Sequence, residues 1–253
     1  MKKITLEEFG GVADGKFNNT LAFALAFAEL ARNGGGQLSV SKGVWATGPI
    51  DIPSDTTVVL EEGSELSFIP DPNLYPPAFT RWEGVECYAM HPLVYASHAK
   101  NVTITGKGTI NGNGQPWWEL KKAKKERGQS VPEETYEKIL AAMNPGYENQ
   151  PGGGGGRETQ FLRPSLVEFS FCENVTVEGV TIKDSPFWTV HPLYVKGLTL
   201  KNLHIENPYT APNTDGIDVD SCEDVKILDC FVSVGDAGLC IRSGPGPDGI
   251  TCN

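Results

Sequence analysis

Two clusters break an otherwise strand-like sequence with acids and glycines. They are Asn213-Thr214-Asp215-Gly216-Ile217-Asp218 and Gly235-Asp236-Ala237-Gly238-Leu239-Cys240-Ile241-Arg242-Ser243-Gly244, and Asp215 and Asp236 stand 21 residues apart. Two carboxyl groups held about 5–10 Å from each other are the usual equipment for cleaving a glycosidic bond: one gives a proton to the leaving oxygen, the other activates water or attacks. Asp and Gly are equally the residues of plain turns, so this chemistry depends on a scaffold that brings both acids onto one surface. A second group of candidates sits in Ser185–Pro192, SPFWTVHP. There Trp188 could stack on a pyranose ring and His191 could reach a hydroxyl or a carboxylate. The alternatives are a packed indole and a satisfied surface imidazole. Trp117 and Trp118 read as structural. The six cysteines, Cys87, Cys172, Cys222, Cys230, Cys240 and Cys252, form no CxxC pair. A zinc site is therefore not expected, and buried free thiols are.

The scaffold is legible as a repeat. Asn101–Gly112, Asn174–Asp184, Gly197–Asn207 and Asp224–Val234 align on one template. Each begins on a turn residue and then alternates apolar with polar positions. Val175, Val177, Val180 and Ile182 are expected to point inward in the second segment, Leu198, Leu200, Leu203 and Ile205 in the third, and Val225, Ile227, Cys230 and Val232 in the fourth. The phase slips at Gly179, Asn202 and Asp229, so each unit reads as two short strands joined by a tight corner. Successive starts at Asn174, Gly197 and Asp224 are 23 and 27 residues apart. A β-sandwich also alternates but needs no stacked template of that length. The repeat therefore predicts an all-β chain, a right-handed, single-stranded parallel β-helix. Asp215 and Asp236 are then about one coil apart, on the same face of coils stacked roughly 4.8 Å from each other.

Residues 1–253 read as a single β-helix domain with two interruptions. In the N-terminal cap region, 1–50, Leu21–Ala31 (LAFALAFAELA) follows Asn18-Asn19-Thr20 and precedes Asn33-Gly34-Gly35-Gly36. That is a helix start and a helix stop, and it predicts a short capping helix, nearly all apolar and buried against the first coil. Residues 116–162 contain the basic run LKKAKKERG, a helical stretch near Glu133–Met143, and Gly152–Gly156. An insertion this long is expected on the binding face. Gly and Pro fill 47 of 253 positions, which argues against a helical bundle. A net charge of −11 is a poor match to nucleic acid. The apolar run at Leu21 is too short to span a membrane, and Glu7, Glu8 and Asp14 interrupt any signal peptide. The expectation is a cytoplasmic protein, or a secreted one if the N-terminus was trimmed, with the oligomeric state left open.

Taken together, these residues resemble the polygalacturonases of glycoside hydrolase family 28. Asn213-Thr214-Asp215 is similar to the family's N-T-D. Gly235-Asp236-Ala237 with Arg242-Ser243-Gly244 stands where the family has G-D-D followed by K-S-G. Phe9-Gly10, Asp14-Gly15, Asn19-Thr20, Gly106–Gly112 with Trp117-Trp118, and Arg163-Pro164 before Ser185–Trp188 extend the likeness over most of the chain. The resemblance implies hydrolysis of α-1,4-galacturonosyl linkages in an acidic pectic chain, with inversion and without metal or cofactor. It makes Asp236 the general acid and Asp215 a carboxylate that activates water. Asn213 orients the site, and Arg242 pairs with a sugar carboxylate in place of Lys.

Three departures accompany it. Ala237 replaces the second acid of G-D-D, and losing a general-base contribution costs roughly 10²–10⁴-fold. The family's G-H-G and R-I-K have no counterpart before Asn253, so C-terminal coils are expected to be missing and the last coil to lack a polar cap. With them go basic residues that would hold an acidic sugar. A rhamnogalacturonan-type hydrolase and a carbohydrate-binding pseudoenzyme remain as alternatives. A pectate lyase fits less well, because no cluster of acids for calcium is evident.

Overall fold

The computed structural model describes residues 2–82, 84–128, 131–149 and 163–243. The predicted alternation sets its architecture. In Glu173–Glu178 and Thr181–Lys183, in Lys196–Lys201 and His204–Glu206, and at the corners between them (Val180 and Leu203), all eight of the expected inward side chains are buried. The slip of phase between paired strands is a backbone event. Gly179, Asn202 and Asp229 have φ of 79°, 51° and 53°, the left-handed conformation that turns the chain through a corner and keeps the apolar positions inward. Asn and Asp visit it more readily than other side chains.

Strands stack coil upon coil. Lys100 pairs with Glu173, Glu173 with Lys196 and Lys196 with Glu223, all in parallel. Leu38, Val58, Ile104, Val177, Leu200 and Ile227 form one continuous inward ladder along the same sheet. Among the described residues there are three such parallel sheets, of seven, six and six strands. Parallel crossovers of this kind are right-handed, and the fold is the right-handed parallel β-helix that the repeat predicts. Antiparallel pairing among the described residues is confined to a hairpin, Pro77–Trp82 with Val85–Met90.

The capping helix, α1 (Thr20–Arg32), lies within a residue of its predicted bounds. It is not buried all round: Ala22, Phe23, Ala26, Phe27 and Leu30 pack inward, whereas Leu21 and Leu25 face solvent. Asn19 joins this cap to the coils. Its side-chain amide donates to the carbonyls of Val12, Phe17 and Ala46. The insertion supplies α2 (Gln115–Glu126) and α3 (Thr135–Met143), clasped by a buried ion pair between Lys124 and Glu137. Gly152–Gly156 lie outside the described residues.

Every long excursion leaves the coil at the same place, between the second and third sheets. The hairpin interrupts the passage from Ser64–Phe68 to Val94–Ser97, and the insertion that from Thr109–Asn111 to Val167–Ser170. The segments that hold Trp188, Asp215 and Asp236 occupy the equivalent passage in later coils. In the last described coil the expected inward residues Val225, Ile227, Cys230 and Val232 are only half-buried. Leu239 and Ile241 there are exposed. Residues 244–253, on which the expectation of an uncapped end partly rests, lie outside the described residues. The five described cysteines are free thiols, but only Cys87 and Cys172 are fully buried.

The corner geometry is testable at Gly179, where an added Cβ would come within 2.6 Å of the Gly106 carbonyl oxygen. Gly179→Ala should cost about 1–3 kcal/mol in urea unfolding, while Asn202→Gly should change stability by less than about 1 kcal/mol. Equal midpoints for Gly179→Ala and the parent protein would show that the corner does not need its left-handed residue.

Candidate active site

The loops that carry the two acid clusters are extensions of the third sheet's ladder. Leu166 N donates to Trp188 O at 3.0 Å, Thr189 N to Asp215 O at 2.9 Å, and Gly216 N to Ala237 O at 2.9 Å. Asp215 therefore neighbours Ala237 in the next coil, and Asp236 sits one residue before that position. One glycine of each cluster is required by this closeness. A Cβ at Gly216 would lie 2.4 Å from a Val232 methyl, and one at Gly235 would lie 2.7 Å from the Pro208 carbonyl oxygen.

Asp215 is 5% exposed. Burial, and then the negative charges of Asp218 and Asp236, raise its carboxyl to about 6 against the pull of Arg242. Arg242 lies across the acids. Its Nε is 2.8 Å from Asp218 Oδ1 and its Nη2 is 3.5 Å from Asp215 Oδ2, with the guanidinium 4.4 Å over the Trp188 ring. Asp218 is fully buried. Burial raises its carboxyl too, opposed by Arg242 and His191. Cys240 Sγ lies 3.7 Å from Asp215 Oδ2. Asp215, Asp218 and Cys240 could each turn one atom toward a common ion. However, Arg242 already supplies the positive charge there, and burial pushes the Cys240 thiol to about 11. This donor set fits a guanidinium better than a metal ion. Asp236 is exposed, with Oδ1 accepting from Ala237 N at 3.0 Å.

Asn213 adopts the left-handed conformation, φ 55°. Its Oδ1 accepts from Lys121 Nζ at 2.5 Å and from Arg163 Nη2 at 3.0 Å. Arg163 is itself buried and also donates to Pro212 O at 2.7 Å. The insertion and the segment after it thus hold the loop that presents Asp215.

Beneath this surface lies a buried charge ladder. His191 Nδ1 is 3.0 Å from Glu168 Oε2, and its Nε2 is 3.9 Å from Asp220 Oδ2. Thr80 donates to Glu168 at 2.6 Å, and Arg81 Nη1 to Asp220 at 2.8 Å, both from the hairpin. Burial works against protonation of His191, but Glu168 and Asp220 outweigh it and hold the ring's pKa near 9. Sugar contacts expected for His191 and Trp188 are not open to them in this arrangement. His191 is 1% exposed and Trp188 3%. The hairpin covers the imidazole, and Arg242 and Phe187 cover the indole.

The sequence pattern gives no role in the site to Asp218, Glu168, Asp220 or Arg81, and marks Arg163 and Lys121 only as parts of a motif and of a basic run. A signal existed for three of them. Glu168, His191, Asp218 and Asp220 occupy outward positions of successive third-sheet strands, and Glu168 is in register with His191. No local signal marks Arg81, whose partner Asp220 is 139 residues away.

The ladder predicts a pH dependence of stability. The folded pKa of His191 is raised, so its contribution is complete below about pH 6.5 and is lost as pH rises through about 9. Melting temperature should fall over that interval in the parent protein and show no such fall in His191→Gln. Parallel melting curves for the two from about pH 6 to about pH 10 would refute the pairing.

A family model described as "Glycosyl hydrolases family 28" matches residues 36–143 and 150–252. A probable polygalacturonase of Vitis vinifera is 30% identical over 95% of this chain and 44% of its own length. The crystal structure of a hyperthermoactive exopolygalacturonase from Thermotoga maritima superposes with a TM-score of 0.80 at 37% identity, over 99% of this chain and 56% of that one. The polygalacturonase of Erwinia carotovora, 21% identical with a TM-score of 0.67, shares the fold. The chain thus spans about half the length of the relatives it matches. With the family's pattern matched over most of its residues, this β-helix belongs to family 28 of the glycosyl hydrolases.

Proposed function

We propose that the protein hydrolyses α-1,4-galacturonosyl linkages of pectic poly- or oligosaccharide, with inversion and by acid–base catalysis. The observation that carries this reading is the pairing of an exposed carboxyl, Asp236, with a buried one, Asp215, one coil away. Asp236 can reach a leaving oxygen and give it a proton. Asp215, held near 6 by burial and by two neighbouring acids, is ionised at neutral pH and basic enough to take a proton from water. Asp218 supplies the second carboxylate beside it, held by the same Arg242 guanidinium. Arg242, a third exposed, balances both and can turn its outer edge to a sugar carboxylate. Asn213 fixes the loop through Lys121 and Arg163. Trp188 and His191 act from below, the first as a platform for Arg242 and the second as a buried charge facing the acids.

A second reading, a carbohydrate-binding relative with little turnover, is favoured by one observation: Ala237 adjoins Asp215 where the family motif has an acid. Reducing-end release from polygalacturonate separates the two. Hydrolysis should rise with pH through about 6 as Asp215 ionises. Asp236→Asn should lower the rate by about 10²–10⁴-fold while substrate is still bound, and Ala237→Asp should raise it. The first sugar product should have the β configuration when followed by NMR. Binding without release, in both the parent protein and Ala237→Asp, would sink the hydrolase reading in favour of the binder.

A further inference from the structure

Helix α2 has two faces with different business. Trp117 is 1% exposed, Leu120 packs against the core and Lys124 pairs with Glu137, so this face closes onto the coils. The other face carries Trp118, Lys121, Lys122 and Lys125, spaced three, four and seven residues on from Trp118, so they line one stripe. That stripe forms one wall of a groove of about 590 Å³. The opposite wall is Pro208, Thr210 and Pro212, part of the connection that ends in Asp215.

The chemistry of this groove is specific. The Trp118 indole N–H donates to Ser185 O at 3.0 Å, which fixes the ring as a rigid apolar plate. Three ammonium groups line the groove against one carboxylate, Glu119, which accepts from Gln115 at 3.0 Å. In a chain of net charge −11 this is a local reversal of sign. Attraction to the helix dipole explains Lys124 and Lys125 near the C-terminal end, but not Lys121 and Lys122 half-way along. Lys122 lies 3.9 Å from Glu126, both well exposed, a solvent-screened pair that a ligand carboxylate can replace at little cost. Lys121 bridges the groove to the site, because it holds Asn213 Oδ1.

We propose that this groove is a subsite for a carboxylated sugar, in which Trp118 takes a pyranose face while Lys122 and Lys125 pair with its carboxylate. The naming of a uronic acid rests on the functional reading above; recognition of the carboxylate by this groove does not require that the bond be cut. It also answers where the acidic substrate finds positive charge: in the insertion, within residues matched to the family.

Calorimetry with trigalacturonate and its fully methyl-esterified form tests the subsite. The parent protein should prefer the free acid. Lys122→Glu/Lys125→Glu should bind the acid about tenfold more weakly and lose the preference over the ester. Lys107→Glu/Lys196→Glu, an equivalent charge change at exposed positions away from the groove, should leave affinity as it is. Equal affinity of the parent protein for acid and ester, no binding of the acid at millimolar concentration, or an affinity within twofold in the double variant would each overturn the subsite. Lysine-dependent binding with no reducing-end release would overturn the hydrolase and keep the subsite.

Discussion

Everything in this protein depends on parallel stacking of one coil on the next, because the ladder fixes what each outward side chain of the third sheet must meet. Neighbouring strands lie about 4.8 Å apart, so a charge at one position is placed against the residue above and below it. Like charges stacked in that way and then buried would be severely unfavourable. The solution is alternation: Glu168, then His191, then Asp218 and Asp220, with Arg81 and Arg242 closing the ladder from either side. The hairpin makes this alternation necessary by covering the face. Asp215 inherits its environment from it, because it lies two residues before the strand that carries Asp218 and Asp220.

The scaffold was readable because its rules are local. An apolar residue at every second position and a Gly, Asn or Asp at the corner are properties of a few consecutive residues, and Gly179, Asn202 and Asp229 announce the left-handed corner by their types alone. The acid pair was readable for a related reason, since a separation close to the coil length puts two residues on one surface. What the sequence leaves out is the covering of that surface. Strand alternation places His191 outward, and outward ordinarily means solvent. Only a hairpin about a hundred residues earlier, crossing back over the third sheet, turns the position into an interior one. The partnership of Lys121 with Asn213, 92 residues apart, has the same character: it follows from topology and has no signature in either segment.

Ala237 takes a different meaning inside this arrangement. Read as a motif, it is a missing acid. Read in place, it is a small side chain beside a carboxylate already crowded by two other acids. A further negative group at that point would raise the cost of ionising Asp215, so an alanine there leaves that carboxyl easier to keep charged.

The placement of all large excursions in one passage of the coil has a consequence for how such a chain diverges. Successive rungs are separated by 46, 73, 23 and 27 residues at comparable points, yet the strands meet in unbroken register. Length is therefore a free variable at that passage and a fixed one elsewhere. Insertions and deletions there can reshape the surface around the acids without disturbing the scaffold, so the loops can vary in length while the acid-bearing rungs keep their register.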